Sequence, residues 1–162
     1  MEIRPATPKD VPGVLPMVRK IAGMHEKLDP AKYSFRSDSV DMYRNWLISR
    51  CSDPKSVFFV ADSGKVLVGF LIGTVEDEIP IYRVESFGFI HDIWVEEDYR
   101  HEGIARQLIT LCIERFREIG VEQIRCDTAW ENQTARELFK RCGFRPSTVE
   151  MLMELGSSES ET

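Results

Sequence analysis

Residues 95–105, Val-Glu-Glu-Asp-Tyr-Arg-His-Glu-Gly-Ile-Ala, combine residue types that suit the binding of phosphate groups. An apolar strand ends here, a short polar turn follows, and a helical pattern begins at Gly103. The N-terminus of a helix presents unpaired N–H groups and a partial positive charge. Gly103 lets the backbone approach a ligand closely, Ala105 leaves room above the first turn, and Arg100 adds a formal charge. The pattern predicts a pyrophosphate site.

A second segment, residues 132–144, has the signals of a short capped helix. Asn132 is a good N-cap residue, and Gly143 suits the left-handed position after a helix, with Phe144 folding back hydrophobically. One face of the helix carries the apolar side chains Ala135, Leu138, Phe139 and Cys142. Taken alone, both segments are also compatible with a purely structural role.

The elements that must position these segments follow from the hydropathy pattern. It predicts strands at 2–6, 57–60, 66–75, 87–95, 121–127 and 148–155, and helices near 14–22, 37–50, 103–119 and 132–141. Their order, β-α-α-β-β-β-α-β-α-β, indicates a mixed α/β sheet flanked by helices, with one parallel strand pair around residues 87–127. We expect one domain over residues 1–155 and a disordered polar tail at 156–162.

Composition excludes several classes of protein. The chain has 162 residues and a formal net charge of −6, which argues against a uniformly basic nucleic-acid binder. No apolar run approaches the roughly 20 residues of a membrane span, and the first residues lack a signal peptide, so we expect a cytoplasmic protein without a membrane partner. The four cysteines form no Cys-x-x-Cys pair, and with three histidines they predict no metal site.

The two segments together resemble those of a known family. The run of residues 100–105, Arg-His-Glu-Gly-Ile-Ala, preceded by the strand 93–95, is similar to the acetyl-CoA motif of the GCN5-related N-acetyltransferases (GNAT family). The block Asn-Gln-Thr-Ala-Arg-Glu-Leu-Phe-Lys-Arg-Cys-Gly-Phe at 132–144 resembles the family's second conserved segment. The resemblance covers nearly the whole chain, and it implies a single-domain fold with a mixed central sheet whose strands splay apart at the cofactor.

The resemblance also implies the cosubstrate, acetyl-CoA, and the residues that bind it. The backbone of Ile93, Trp94 and Val95 would pair with the pantetheine arm like an added strand, and a freed N–H near position 94 would polarise the thioester carbonyl. Asn132 would bond to the same arm, with residue 139 near the sulfur. The implied cofactor-binding set is Ile93, Trp94, Val95, Arg100, His101, Glu102, Gly103, Ile104, Ala105, Asn132, Ala135 and Phe139.

The implied reaction is direct attack of a primary amine on the thioester, which requires a base because amines are protonated at neutral pH. Three candidates lie on or before the strand that leads into the motif: His91, Asp92 and Glu85. His91 is favoured because imidazole titrates near neutrality and its position is similar to that of a catalytic histidine in arylalkylamine acetyltransferases. Asp92 has the opposite strand parity, so both face one cleft only if the strand bulges there. Glu85 would act through water.

One position departs from the family. Members usually carry a tyrosine that protonates the leaving thiolate, and this chain has Phe139 there. Three interpretations remain open: solvent protonates the thiolate, Tyr99 or Cys142 substitutes, or the enzyme is slow.

The charge distribution gives the one clue to the acceptor. Acidic residues are concentrated between positions 76 and 98, ahead of the motif, which favours a small cationic amine. Tyr82, Phe87, Phe89 and Trp94 are candidates to line its pocket with aromatic faces that attract ammonium groups. The alternatives are a protein or peptide N-acetyltransferase and a non-catalytic acyl-CoA-binding regulatory module. The apolar residues of the strand predicted at 148–155 are compatible with a homodimer.

Overall fold

The computed structural model describes residues 1–156, which form one five-stranded sheet and four α-helices. The elements follow the predicted order, apart from the last strand. The strands are β1 (Glu2–Pro5), β2 (Ser56–Asp62), β3 (Leu67–Asp77), β4 (Ser86–Val95) and β5 (Ile124–Cys126); the helices are α1 (Val11–Leu28), α2 (Ser39–Arg50), α3 (Ile104–Ile119) and α4 (Gln133–Arg141).

The sheet has the order β1-β2-β3-β4-β5, with antiparallel neighbours except for the parallel pair β4–β5. That parallel pair covers three positions, from Gly88 opposite Ile124 to Ile90 opposite Cys126. β4 continues to Val95 along β3, whereas β5 ends at Cys126. The predicted mixed sheet with splayed strands is therefore confirmed, and the gap opens directly after Ile90.

The two faces of the sheet are covered by different helices. On one face, α3 and Phe139 of α4 pack on β2, β3 and β4, with Leu108, Cys112 and Phe116 fully buried. On the other face, α1 and α2 bury Val14, Met17 and Leu47 against Phe70 and Ile72 of β3. Both cores are apolar, so the sheet is held between two helical layers as expected for an α/β domain.

Two glycines allow α3 to approach the sheet closely. A Cβ atom at Gly88 would lie 2.8 Å from the ring of Phe116, and one at Gly73 would lie 2.9 Å from it. The glycines thus create the space that Phe116 fills beneath β3 and β4.

Replacing Gly88 by alanine should lower the free energy of unfolding by about 1–3 kcal/mol, because the added methyl group overpacks a filled core. Urea unfolding measures the change. The matched control is Gly23→Ala in α1, where a Cβ meets nothing within 4 Å. That variant should be stabilised by about 0.5–1 kcal/mol, since alanine favours helix. Equal stability of Gly88→Ala and the wild type would contradict the packing described here.

The strand predicted at residues 148–155 is wrong. Residues 144–156 form neither helix nor strand, and Val149, Met151, Met153 and Leu155 are 61–87% exposed. The alternation of apolar side chains is present, but no strand of the described chain pairs with this segment, and a strand exists only through such pairing. The segment instead contacts the loop between α1 and α2, where Lys32 forms an ion pair with Glu150.

The other deviations are smaller. β5 is shorter than the predicted strand 121–127, and β3 extends into the predicted loop as far as Asp77. The predicted disordered tail lies outside the described residues, except for Gly156. Within the described chain, no helix combines the length and the apolar character needed to cross a membrane.

Candidate active site

A β-bulge in β4 brings His91 and Asp92 to the same face of the sheet. Ile72 of β3 is opposite Asp92, and the next residue of β3 is opposite Ile90, so His91 is an extra residue in the ladder. Ile90 and Ile93 both pack in the core on the α3 side. His91 and Asp92 both contact α2, through Trp46 and Tyr43 respectively. The bulge that the sequence required for this arrangement is therefore present.

His91 is held by a chain of hydrogen bonds from β3. Its Nε2 lies 2.7 Å from Oγ1 of Thr74, and that hydroxyl donates to Oε1 of Glu76 at 2.6 Å. Trp46 and Phe89 contact the ring edge-on, with centroid distances of 5.1 and 5.0 Å. Burial lowers the pKa of the imidazole below its ordinary value, an effect that the charges of Glu76 and Asp92 partly offset. At neutral pH the ring is therefore neutral and able to accept a proton.

Asp92 is half-buried at the pocket wall. Its carboxylate accepts a hydrogen bond from the hydroxyl of Tyr43. Burial raises the pKa of Asp92 above its usual range, and the Tyr43 hydrogen bond together with His91 and His25 opposes that rise. Burial likewise raises the pKa of Tyr43 far above its usual value. In its ionised form Asp92 raises the pKa of two imidazoles, that of His91 on β4 and that of His25 on α1.

These groups open into a pocket where β4 and β5 diverge. Its lining residues come from α1, β4, β5, the loop after β5 and α4: Ile21, Met24, His25, Ile90, His91, Asp92, Ile93, Cys126, Asp127, Thr128, Asn132, Ala135 and Phe139. The charged groups of this lining are two carboxylates, and its remaining titratable groups are two imidazoles and a thiol. The pocket therefore connects the candidate base to the predicted pantetheine-binding residues.

Glu85 is not brought to this pocket. It lies in the exposed loop before β4, six residues from His91 along an extended strand, which corresponds to roughly 20 Å. Its backbone carbonyl accepts a hydrogen bond from the N–H of Glu78 across the β3–β4 turn. The structure therefore gives no direct path from Glu85 to the pocket.

The turn before α3 has the backbone conformation expected of a phosphate-binding loop. Gly103 is the N-cap of α3 with φ of 80°, and His101 has φ of 66°, which is unusual for a residue other than glycine. The helix therefore begins with free N–H groups and no capping side chain. Ile104 buries its side chain in the core, Ala105 packs beside it, and Glu102 is exposed. These residues can therefore contact a ligand at this turn through their backbone N–H groups.

Arg100 connects this turn to the end of β4 through its side chain. Its Nε donates to the carbonyl oxygen of Val95 at 2.9 Å, and its guanidinium lies 4.7 Å from the ring centroid of Trp94. The side chain thus ties the end of β4 to the start of the loop and remains exposed to solvent.

The aromatic side chains predicted to attract an ammonium group are partly engaged by arginines of the chain itself. Arg125 lies 3.9 Å from the ring centroid of Phe87 and forms an ion pair with Glu78 at 2.6 Å. Arg100 occupies a face of Trp94 in the same way, and Tyr82 lies in the exposed β3–β4 loop. Phe89 alone of the four contacts the candidate base, through the edge of its ring.

The second predicted binding segment lies on the opposite wall of the pocket. The side-chain oxygen of Asn132 accepts a hydrogen bond from the N–H of Ala135 at 3.1 Å, so it caps α4 and leaves its NH₂ group free to donate. Phe139 is 6% exposed and packs edge-on against Phe144. Across the gap, Ile93, Trp94 and Val95 pair with β3, and the described chain offers them no partner strand on the β5 side.

The cysteines are free thiols rather than reactive thiolates. Cys126 lines the pocket, and burial raises its pKa to about 12. Burial also raises the pKa of Cys142 on α4. Tyr99, the other group considered as a proton donor, packs against the α3-side core. Neither Tyr99 nor Cys142 is part of the pocket wall.

Sequence reasoning missed several residues of the site. Thr74 and Glu76 of β3, Tyr43 of α2 and His25 of α1 all contact or flank the candidate base or Asp92, yet they lie 15–66 positions away from His91 in the chain. His25 did carry one signal, because it follows Ile21 by four residues on the apolar face of α1.

Comparison with known sequences gives one family and several relatives. The sequence model of the acetyltransferase (GNAT) family matches residues 21–144. A Bacillus subtilis protein named as the uncharacterized N-acetyltransferase YycN is 32% identical over 91 residues, which cover 56% of each chain. The chain spans about half the length of the curated relatives it matches, including human N-acetyltransferase 8.

Comparison with solved structures shows the same fold. A variant of the BH1408 protein of Bacillus halodurans superimposes with a TM-score of 0.82 at 22% identity, over 96% of this chain and 99% of that chain. The aminoglycoside N-acetyltransferase AAC(6')-Iy, in complex with CoA, has a TM-score of 0.71 at 16% identity, over 96% of this chain and 100% of that one.

Proposed function

The chain belongs to the acetyltransferase (GNAT) family, and we propose that it transfers an acetyl group from acetyl-CoA to a primary amine. The observation that carries the proposal is the pocket at the divergence of β4 and β5. It places the imidazole of His91, the carboxylate of Asp92 and the capped start of α4 around one space.

The chain fits acetyl-CoA in two places. The turn of residues 100–105 offers backbone N–H groups at the start of a 16-residue helix, which suits the pyrophosphate. A side chain at Gly103 would be strained, because its φ is 80°. The unpaired edge of Ile93, Trp94 and Val95, together with the free NH₂ of Asn132, suits the amide groups of the pantetheine arm. The CoA complex of AAC(6')-Iy, which has the same fold, supports this assignment.

His91 is the proposed general base. Acetyl-CoA supplies a thioester, which the acceptor amine attacks directly within a ternary complex. The amine gives up its proton to the neutral ring of His91, and the carboxylate of Asp92 stabilises the imidazolium that results. Desolvation keeps the free ring neutral, so it is ready to accept a proton at neutral pH.

The proton for the leaving coenzyme A comes from solvent. Phe139 has no proton to give, and the thiol of Cys126, with a pKa of about 12, is a weaker acid than an ordinary thiol of about 8.5. Tyr99 and Cys142 lie outside the pocket wall. A thiol of ordinary acidity leaves as the thiolate, so turnover does not depend on an acid from the protein.

A small cationic amine is the proposed acceptor. Asp92 and Asp127 line the pocket, and Glu76 lies behind His91, so the local charge favours an ammonium group. Within the part of the chain that the structure describes, the pocket wall has no lysine or arginine. Two solved structures with the same fold are named as aminoglycoside acetyltransferases, which supports a small-molecule amine as the acceptor.

Direct attack predicts that the pocket cysteine is dispensable. Cys126→Ala should retain kcat within about threefold, because a thiol with a pKa of about 12 is almost wholly protonated at neutral pH and a poor nucleophile. Initial-velocity patterns with both substrates measure this. Lines should intersect for the wild type and for the variant. Parallel lines in the wild type, with activity lost in Cys126→Ala, would instead indicate an acetylated cysteine.

The proposal is tested by thiol release from acetyl-CoA with a panel of acceptors: monoamines, diamines and polyamines, aminoglycosides, and peptides with free N-termini or lysines. The proposal predicts turnover with small cationic amines in preference to peptides. Turnover confined to peptides would identify a peptide acetyltransferase. Tight binding of acetyl-CoA without turnover of any acceptor would favour a regulatory acyl-CoA-binding module, the alternative to which the loss of the family's tyrosine at position 139 points.

A further inference from the structure

We propose that Thr74 and Glu76 are positioning residues that fix His91 in its Nε2–H tautomer and thereby make Nδ1 the atom that accepts the proton of the acceptor amine. This inference rests on the proposed function of His91 as a base. It assigns a role to two residues of β3 that neither the family segments nor the predicted cofactor site includes.

The tautomer follows from counting protons along the hydrogen-bond chain. An ionised carboxylate only accepts, so the Thr74 hydroxyl must spend its single proton on Oε1 of Glu76, at 2.6 Å. The same hydroxyl oxygen lies 2.7 Å from Nε2 of His91 and has lone pairs left. The Nε2 atom must therefore be the donor in that contact. In a neutral imidazole with a proton on Nε2, the lone pair is on Nδ1.

The backbone of β3 and β4 holds this chain of hydrogen bonds in place. Thr74 and Glu76 are two positions apart on β3, so their side chains point to the same face of the sheet. Thr74 is 5% exposed and is opposite Phe89, which packs edge-on against His91. The bulge in β4 turns His91 to this face as well. The three side chains thus lie in one row on this face of the sheet, and Trp46 of α2 packs edge-on against His91.

The charges around the ring are compatible with this role. Glu76 faces it from β3 with Oε1 3.5 Å from Nε2, Asp92 lies beside it on β4, and Arg50 acts on it from α2. The two carboxylates favour the imidazolium, and Arg50 disfavours it. When Nδ1 takes the proton, the ring becomes positive and Nε2–H still donates to Thr74. The hydrogen bonds from Nε2 to Thr74 and from Thr74 to Glu76 therefore persist during proton transfer, and no proton moves along them.

Nitrogen NMR of the histidine side chains tests the tautomer directly, because the protonated and unprotonated ring nitrogens of a neutral imidazole have distinct shifts. The chain has three histidines, so a His91→Gln sample assigns the signal. We expect the wild type and Thr74→Ser to show a single Nε2–H tautomer. Thr74→Val, which keeps the shape and removes the hydroxyl, should show a mixture. A wild-type ring protonated at Nδ1 would overturn the proposal.

Kinetics with the same variants test the positioning role. Thr74→Val should lower kcat by roughly 10-fold with little change in the KM for acetyl-CoA, and Thr74→Ser should restore it. Glu76→Gln keeps an acceptor for Thr74, so it should keep the tautomer and move the acid limb of the pH–rate profile to lower pH. An unchanged kcat in Thr74→Val with a mixed tautomer would overturn the positioning role. Because the NMR reading needs no turnover, it decides the tautomer even if no acceptor amine is found.

Discussion

Replacing His91 by glutamine should lower kcat by about 10²–10⁴-fold while acetyl-CoA binds with nearly unchanged affinity. The ring lies in the pocket on the α2 face of the sheet, away from the turn that begins α3, so its loss removes the base and leaves the cradle intact. Single-turnover or steady-state thiol release, combined with a calorimetric dissociation constant, separates these two effects.

The pH dependence of kcat in the wild type and in His91→Gln shows in which protonation state His91 acts. Catalysis needs the neutral ring, and burial lowers the pKa of His91 below its ordinary value of 6.5. Wild-type activity should therefore persist through neutrality and fall only below about pH 6.5. The His91→Gln variant should lack this acid limb.

His25 provides the matched control, since it lines the same pocket from α1 and burial also lowers its pKa. Its ring stacks on Tyr33 with a centroid distance of 4.6 Å. The hydrogen bonds through Thr74 to Glu76 reach His91 and not His25. His25→Gln should retain the acid limb with a smaller loss of kcat. If His25→Gln abolished the limb and His91→Gln preserved it, the base would be assigned to α1 instead.

Replacing Gly103 by valine should weaken the binding of acetyl-CoA by at least about 10-fold. The residue has φ of 80° at the N-cap of α3, a conformation that costs a β-branched residue roughly 1–3 kcal/mol. The turn should relax and swing its N–H groups away from the pyrophosphate. The free space around the position means that the backbone, and not a clash with a side chain, causes the loss. Titration calorimetry with acetyl-CoA measures the affinity.

Gly64 is the control for this substitution. It has φ of 85° and lies in the turn between β2 and β3, and a Cβ there would meet nothing within 4 Å, whereas one at Gly103 would meet only Nε2 of Gln107, at 4.0 Å. Gly64→Val should lower the melting temperature by an amount similar to that of Gly103→Val, yet bind acetyl-CoA like the wild type. Unaltered affinity in Gly103→Val would remove this turn from the proposed cofactor site.

The sequence predicted the elements well where local signals were strong. α3 begins after Gly103 and ends before Gly120, as the pattern predicts, and both glycines have positive φ. Asn132 caps α4 with its side chain. These features depend on a few neighbouring residues, so a single sequence contains them.

The bulge at His91 marks the limit of that reasoning. Strand alternation alone places His91 and Asp92 on opposite faces, and only the register with β3 shows that they share one. Register is decided by the packing of whole strands, which no local pattern encodes. The partners Thr74 and Tyr43 are brought to the site by the same long-range pairing, and for that reason the sequence did not reveal them.

The segment 148–155 shows the opposite error. Its alternating apolar residues satisfy the pattern of a strand, but in the described chain β5 ends the sheet with three residues and no strand pairs with this segment. The pattern records that side chains alternate in polarity, and it does not supply the neighbour on which a strand depends.

Isotope-labelled acetyl-CoA with a small cationic diamine tests whether an acetyl group is transferred to an amine in the pocket between β4 and β5. The label should be recovered as the acetylated amine, in equal amount to the coenzyme A released, and His91→Gln should reduce both together. Label that stays on coenzyme A, or appears only as free acetate with every acceptor tried while acetyl-CoA binds tightly, would contradict this transfer.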